Sequence, residues 1–221
     1  MFRGVDINIP AIANQTYTKL KNHPVFSSAY KSALKLLRRN KSPRNRARLI
    51  HSEIDKSITK LFKDPLIKAH VQCRSQCSAC CYTQVSATED EAIVLADYIQ
   101  KRKVKIDFDR LEKQVVAQNS GIEWYKLRYA DRRCIFLGDD NLCQVYEDRP
   151  SVCRTNYVVS DPIMCDTSDG KLRPLQLLKT FESDMIIAAH FHFSKNSGTL
   201  PQMIYNALSQ NLARAKEKIL R

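Results

Sequence analysis

No run in this 221-residue chain approaches the roughly 20 consecutive apolar residues that a membrane-crossing helix requires. The opening MFRGVDINIPAIANQ interrupts its apolar residues with Asp6, Asn8 and Pro10 before any secretory core forms, so a cytoplasmic location is expected. Also missing are a Walker loop, a G-x-G-x-x-G run and a Ser-His-Asp arrangement, and binding of nucleotide, flavin, nicotinamide or S-adenosylmethionine is therefore not indicated. No internal repeat is visible. Only five Gly and eight Pro occur, which excludes a low-complexity chain. With 43% apolar and 27% charged residues, the composition is that of an ordinary globular protein with room for one sizeable core.

Acidic residues are scarce at one end. Residues 1–72 carry 15 Lys and Arg against 4 Asp and Glu, net +11, whereas residues 73–221 carry 21 against 19, net +2. Eleven of the 13 net positive charges are thus concentrated in a leading segment. Its first reading is a solvated helical surface, because no nucleic-acid motif accompanies it; the alternative is a docking face for an acidic protein or nucleic acid.

Cysteine, by contrast, is plentiful and clustered. Cys73, Cys77, Cys80 and Cys81 fall within nine residues, and Cys134, Cys143, Cys153 and Cys165 follow. In a reducing compartment, and in a chain long enough to need no staples, these thiols are expected to stay free and to bind metal. Two cysteines spaced as Cys77 and Cys80 can turn both sulfurs toward one ion from a single tight loop. Cys80 and Cys81 are adjacent, and adjacent side chains diverge, which suggests a polynuclear cluster or two sites.

The remaining pattern is helical. A helix beginning near Ala11 ends at His23-Pro24. A second over 25–39 places Val25, Ala29, Ala33, Leu36 and Leu37 at inward spacing. Ser42-Pro43 caps a third, running to about Phe62, with a stripe of Leu49, Ile50, Ile54, Ile58, Leu61 and Phe62. Asp64-Pro65 stops it, and a link through Leu66, Ile67 and Val71 leads to Cys73. Thr88 and Glu91 form a capping box that opens a helix to about Gln100, burying Ala92, Leu95, Ala96 and Ile99. Asp107 caps another, with Leu111, Val115 and Val116 inward and Gly121 past its end. The Gly138-Asp-Asp-Asn141 turn can bring Cys134 and Cys143 together. Pro150 opens a short helix in which Cys153 would gain from the helix dipole and from Arg154. Residues 175–193 have helical spacing, and Pro201 begins a last amphipathic helix to about Ile219 bearing Met203, Ile204, Leu208 and Leu212, with Lys216 and Lys218 at its end.

The motifs Cys77-Ser-Ala-Cys80-Cys81, Thr88-x-x-Glu91-Ala92, Cys134-Ile-Phe-Leu and Cys143-x-Val-Tyr146-x-x-Arg149-Pro150-x-x-Cys153-Arg154 together resemble the YkgJ-type cysteine-cluster family, over about residues 73–165. That family is described as a proposed zinc- or iron-chelating domain. The chain departs from its usual pattern in having three residues between Cys73 and Cys77. The group is similar to the cysteine-rich region of flagellin lysine N-methylases, for which an iron–sulfur cluster is proposed, and its members are often labelled iron–sulfur oxidoreductases. The resemblance therefore implies a metal centre on Cys73, Cys77, Cys80, Cys81, Cys134, Cys143, Cys153 and Cys165, with a redox or protein-lysine methyl-transfer role.

A [4Fe–4S] cluster accommodates adjacent Cys80 and Cys81 better than one zinc ion does, and is the expected cofactor; zinc is the alternative. Cys77, Cys80 or Cys81, Cys134, Cys143 and Cys153, with Cys165 next, suffice for one site, while eight thiols would also furnish two. His190 and His192 are read as core or surface histidines rather than ligands, Tyr146 as a packing residue, and Glu91 as a cap before it is a base. Arg149 either stabilises an anionic centre or pairs with Glu147 or Asp148. Whether the protein is an enzyme is left open by the residues. The expected architecture is mainly α-helical, one domain around a cysteine-rich, loop-dominated metal-binding centre: basic helices over 1–72, the cysteine core over 73–165, and closing helices over 166–221.

Overall fold

A computed structural model describes residues 9–101, 103–117 and 121–219, with side chains in the last helix through Asn211. The chain is mainly helical. Three helices come first: α1 (Ala11–Leu20), α2 (Pro24–Arg39) and α3 (Pro43–Leu61). Proline at the first turn starts both α2 and α3, and the Ser42 side chain accepts a hydrogen bond from the Asn45 N–H at the head of α3. The stretch 65–70, expected to be a link, is a fourth helix, α4 (Pro65–His70), because Asp64 both ends α3 and caps its successor through the Leu66 N–H at 2.8 Å.

All of α1, α2 and α3 pack around α9 (Phe181–Phe193), which comes much later in the chain. Residues Ser183 to Phe191 are buried without interruption, so α9 has no solvent face, as expected of a helix that is apolar all round. Its helix is shorter than the apolar 175–193 segment. Residues 176–178 instead pair with the extended strip around Val158, through the Val159 and Leu178 N–H groups. The layer's interior is Ala33, Leu37, Ile50, Ile54, Ile186, Ile187 and Phe191.

A second apolar layer joins α5 (Glu89–Gln100), α6 (Phe108–Val116) and α10 (Leu200–Ile219) to the buried run Ile135-Phe136 and to Val145. Two short strands, β1 (Ser86–Thr88) and β2 (Ser197–Thr199), pair antiparallel and tie the start of α5 to the start of α10. Small helices α7 (Gly121–Lys126) and α8 (Tyr129–Arg132) lie between α6 and the second cysteine group. The single tryptophan, Trp124, is buried there and donates its Nε1–H to the Tyr82 carbonyl at 3.0 Å.

Three details of the sequence reading are corrected. Val25 and Val116 were expected inside but are 64% and 78% exposed, because each lies at a helix end where the packed stripe has already turned away. Gly121 does not follow α6 as a cap; α6 stops at Val116, and Gly121 opens α7. Leu212, Lys216 and Lys218 lie beyond the side chains described.

The basic segment is held down by ion pairs. Along α3, Arg44 pairs with Asp97, Arg46 binds both oxygens of Asp90, and Arg48 faces Asp148. Three of the cations concentrated before residue 73 are therefore used within the molecule, a role that the charge count alone did not suggest. Among the described residues no helix is long and apolar enough to cross a membrane.

Ile54 is fully buried between α3 and α9. Ile54→Ala should lower the unfolding free energy by about 3 kcal/mol through lost transfer energy and a residual cavity, seen as a lower urea midpoint at unchanged slope.

Candidate metal centre

The first cysteine loop leaves α4 and is pinned at Gln72, whose N–H bonds the Val158 carbonyl at 2.8 Å. Val158 returns the bond from its own N–H to the Cys73 sulfur at 3.3 Å. The three residues between Cys73 and Cys77 are accommodated by a tight turn with Gln76 in the left-handed region at φ 65°, and the Cys77 N–H reaches back to the Arg74 carbonyl. A 3-10 helix, Ala79–Tyr82, then carries Cys80 and Cys81.

The second group meets the first through the backbone. The Cys134 N–H donates to the Cys81 carbonyl at 2.7 Å, and Tyr82 stacks flat on Tyr129 with centroids 4.2 Å apart. From Cys134 the chain makes the predicted reversal: Gly138 N–H bonds the Leu142 carbonyl, Asn141 adopts φ 60°, and Leu137 bridges Cys143. A Cβ at Gly138 would lie 2.6 Å from the Asp140 carboxylate, so a larger residue there would have to displace that side chain from the turn. Cys153 follows on a 3-10 helix, Ser151–Arg154, with Pro150 as its cap rather than its first residue.

All eight cysteines are free thiols. Their mutual influence on ionisation places them in two neighbourhoods that share Cys80. Cys81, Cys134, Cys143 and Cys153 form one, each except Cys143 opposed by at least two other thiols of that group, and Cys143 by Cys80. Cys73, Cys77 and Cys165 form the other. Cys80 is open to solvent on one side but closely surrounded by protein on the others; a hydrogen bond from the Cys81 thiol lowers its pKa and raises that of Cys81.

Burial pushes Cys134 up to about 12 and Cys153 well above the usual thiol range. It also raises Cys73, Cys143 and Cys165. Opposing it are peptide N–H groups aimed at sulfur, from Val158 to Cys73, from Phe136 to Cys134 and from Val145 to Cys143. Such N–H···S contacts are what a metal-bound thiolate needs to spread its charge, so the donor set fits a zinc or iron centre in kind. A metal must displace the protons that burial holds on these sulfurs, and its binding strengthens as pH rises. Among the described residues no three His, Cys, Asp or Glu side chains already stand as a closed coordination shell. The thiols are neighbours that must converge further to share an ion.

The two arginines near Cys153 take different places. The buried guanidinium of Arg154 binds Asp55 together with the Glu147 and Arg149 carbonyls. Arg149 pairs with neither Glu147 nor Asp148. It lies 3.8 Å from the Tyr146 ring centroid, donates to the Tyr146 carbonyl, and is the cation that opposes the rise at both Cys143 and Cys153. Tyr146 is exposed and serves as that guanidinium's platform. His192 faces the Tyr30 hydroxyl, and buried His190 lies 3.3 Å from Thr88 Oγ1, so both histidines stay within the helical layers.

Beneath the cysteine region runs a buried polar seam centred on Glu91. The expected capping box is present, with Oε2 accepting from the Thr88 N–H and hydroxyl. Unforeseen is the other oxygen: Oε1 accepts from the Ser151 N–H at 2.7 Å, from its hydroxyl at 2.5 Å and from His51 Nε2 at 3.1 Å. Burial disfavours the Glu91 charge, but the His51 hydrogen bond, the nearby His190 and Ser151 outweigh it and hold the carboxyl well below the ordinary range. Because a carboxylate only accepts, His51 carries its proton on Nε2, and burial keeps the ring neutral. Glu91 thus fixes the backbone of Ser151, two residues before Cys153. The sequence held one sign of this: His51 occupies the inward stripe of α3 with Ala47, Ile50 and Ile54.

Buried Arg132 was also missed. Its guanidinium lies over Tyr125 and Tyr129 and binds the Thr167 carbonyl, drawing the segment after Cys165 toward the centre.

Residues 72–174 match the family model CxxCxxCC, described as a proposed zinc- or iron-chelating domain. No curated protein and no solved structure matches the chain.

Glu91→Gln should cost about 3–5 kcal/mol at neutral pH, since an amide cannot accept from all five donors. The folded carboxyl has the lower pKa, so its contribution is complete above the unfolded value of 4.5 and fades as pH falls below it. Urea unfolding of the two proteins should therefore converge on acidification.

Proposed function

We propose, from the match of residues 72–174 to a zinc- or iron-chelating domain model, that this protein is an iron–sulfur protein with a redox role. A [4Fe–4S] cluster would be held by Cys134, Cys143 and Cys153 with Cys80 or Cys81. When bound, such a cluster supplies one-electron transfer. The observation that supports this reading is the gathering of thiols near Cys80, where the adjacent pair Cys80 and Cys81 and three cysteines from a distant part of the chain influence one another's ionisation. A cluster can take ligands from an adjacent pair more readily than a lone tetrahedral ion does.

The chain's own groups suit the task. N–H donors at Cys134 and Cys143 and the Arg149 guanidinium moderate thiolate charge, which favours the reduced state of a cluster. Ile135, Phe136 and Val145 exclude water behind the sulfurs. A protein-lysine methyl-transfer role rests on family resemblance alone, and no S-adenosylmethionine fingerprint supports it.

Structural zinc is the second reading, favoured by the burial around Cys81, Cys134, Cys143 and Cys153, whose four sulfurs would close a tetrahedral shell. Anaerobic purification separates the two. The expected product is brown, contains iron and acid-labile sulfide in near-equal amounts, and bleaches on reduction. Colourless protein with stoichiometric zinc and no sulfide rejects the cluster, and a chelator should then melt helices as it strips the ion. Cys153→Ser should lose most of the metal under either reading; full retention would remove Cys153 from the ligand set.

A further inference from the structure

Between Asp6 and Glu53 the chain has no acidic residue and ten Lys and Arg. Arg44, Arg46 and Arg48 of α3 are engaged by Asp97, Asp90 and Asp148. The cations of α2 are not. Lys31, Lys35, Arg38 and Arg39 are exposed, and neither they nor exposed Lys41 form an ion pair among the described residues. At 3.6 residues per turn the four helical cations fall within an arc of about 100° and a length of about 12 Å. The other side of the helix carries Ala33 and Leu37, buried in the layer around α9.

Arg38 and Arg39 suit the C-terminal end of the helix dipole, but Lys35 and Lys31 lie one and two turns further back. Lys31 with Lys35, and Lys35 with Arg39, are like charges at i,i+4, an arrangement that weakens a helix. The acids of α5 offer no relief, because Asp90 is taken by Arg46, Asp97 by Arg44, and Glu89 accepts from Asn196. Lys41 follows in the loop that Arg46 anchors by donating to the Asn40 and Lys41 carbonyls. The fold thus builds a one-sign row whose repulsion it does not compensate, and a polyanion outside the chain does.

The row also says which polyanion. The exposed large apolar residues of the first three helices are Ile12 and Val25, near the starts of α1 and α2 and away from Lys31 to Lys41. A protein interface needs a desolvated apolar anchor among its charges, and a membrane-lying helix needs a free apolar face, which α2 has spent on α9. No Phe, Tyr or Trp ring is exposed in these helices for unpaired bases to stack on. Evenly spaced cations without apolar or aromatic company match a duplex backbone.

We propose that the exposed face of α2, with Lys41, binds double-stranded nucleic acid through its phosphates without reading sequence. The assignment is independent of the metal that the cysteines hold.

Fluorescence anisotropy on the full-length protein purified anaerobically tests it, with labelled DNA and RNA duplexes of about 20 base pairs as probes. Saturable binding is expected, with log affinity falling against log salt at a slope of about −4 to −5 for five phosphate contacts, a loss of two to three orders of magnitude between about 50 and 200 mM salt. Lys35→Glu, Arg39→Glu should weaken binding at least tenfold and flatten the slope by about 2. Lys103→Glu, Lys105→Glu places the same change of charge on the exposed loop between α5 and α6 and should change affinity less than threefold. Unchanged circular dichroism of both variants verifies that each is folded. Scrambled duplexes should bind alike, and a preference between the DNA and RNA duplexes would support the assignment and name its target. Absence of binding at low salt, an equal loss in both variants, tighter binding to a single strand, or tighter binding to phosphatidylserine vesicles would overturn it.

Discussion

A single buried carboxylate joins the two halves of this molecule. Glu91 is fully enclosed, and a charge in that position is tolerable only because five donors converge on it. One of its oxygens starts α5; the other receives α3 through His51 and the cysteine-bearing segment through Ser151. Each partner is constrained by the others, since losing any donor would leave an ionised group poorly compensated. The neighbouring Asp90 repeats the logic with Arg46 and His190. Between two apolar layers, this polar seam sets the angle and register at which they meet.

That arrangement explains how loops come to present eight thiols. The cysteine-bearing segments contain little α-helix, and short 3-10 turns cannot position side chains unaided. They are held instead from behind, by the Ser151 contacts to Glu91, by Arg154 gathering the Glu147 and Arg149 carbonyls onto Asp55, and by the Val158 strip bonded to both Gln72 and Gln176. The segments that carry the thiols are thus tied to the helices by side chains and backbone groups that lie outside the cysteines themselves.

Much of the local structure was legible from residue order. Ser42-Pro43, the Thr88/Glu91 box, Asp107 and the turn at Gly138 to Asn141 are signals whose chemistry acts within a few residues, and all appear where expected. Legibility ended where partners are distant. The fate of Arg46, Arg154 and Arg132 depends on acceptors roughly 35 to 100 positions away, so a charge count reads them as surface cations. At Cys153 the nearest cation in sequence, Arg154, is bound to Asp55, and it is Arg149, four residues earlier, that opposes the rise at the sulfur. Short apolar runs misled for a related reason: Val25 and Val116 obey helical spacing, but the helix beneath them has no neighbour there.

The central position of α9 has a consequence for synthesis. Thr16 hydrogen-bonds Asp184 across 168 positions, and α1 to α3 all close upon a helix that leaves the ribosome long after them. During translation those first helices must wait with their apolar stripes uncovered, while the cysteine segments emerge in between. The nascent chain therefore has a prolonged interval of exposed hydrophobic surface and unliganded thiol. It is during this interval, rather than in the finished protein, that premature aggregation or mispaired sulfur is the greatest hazard.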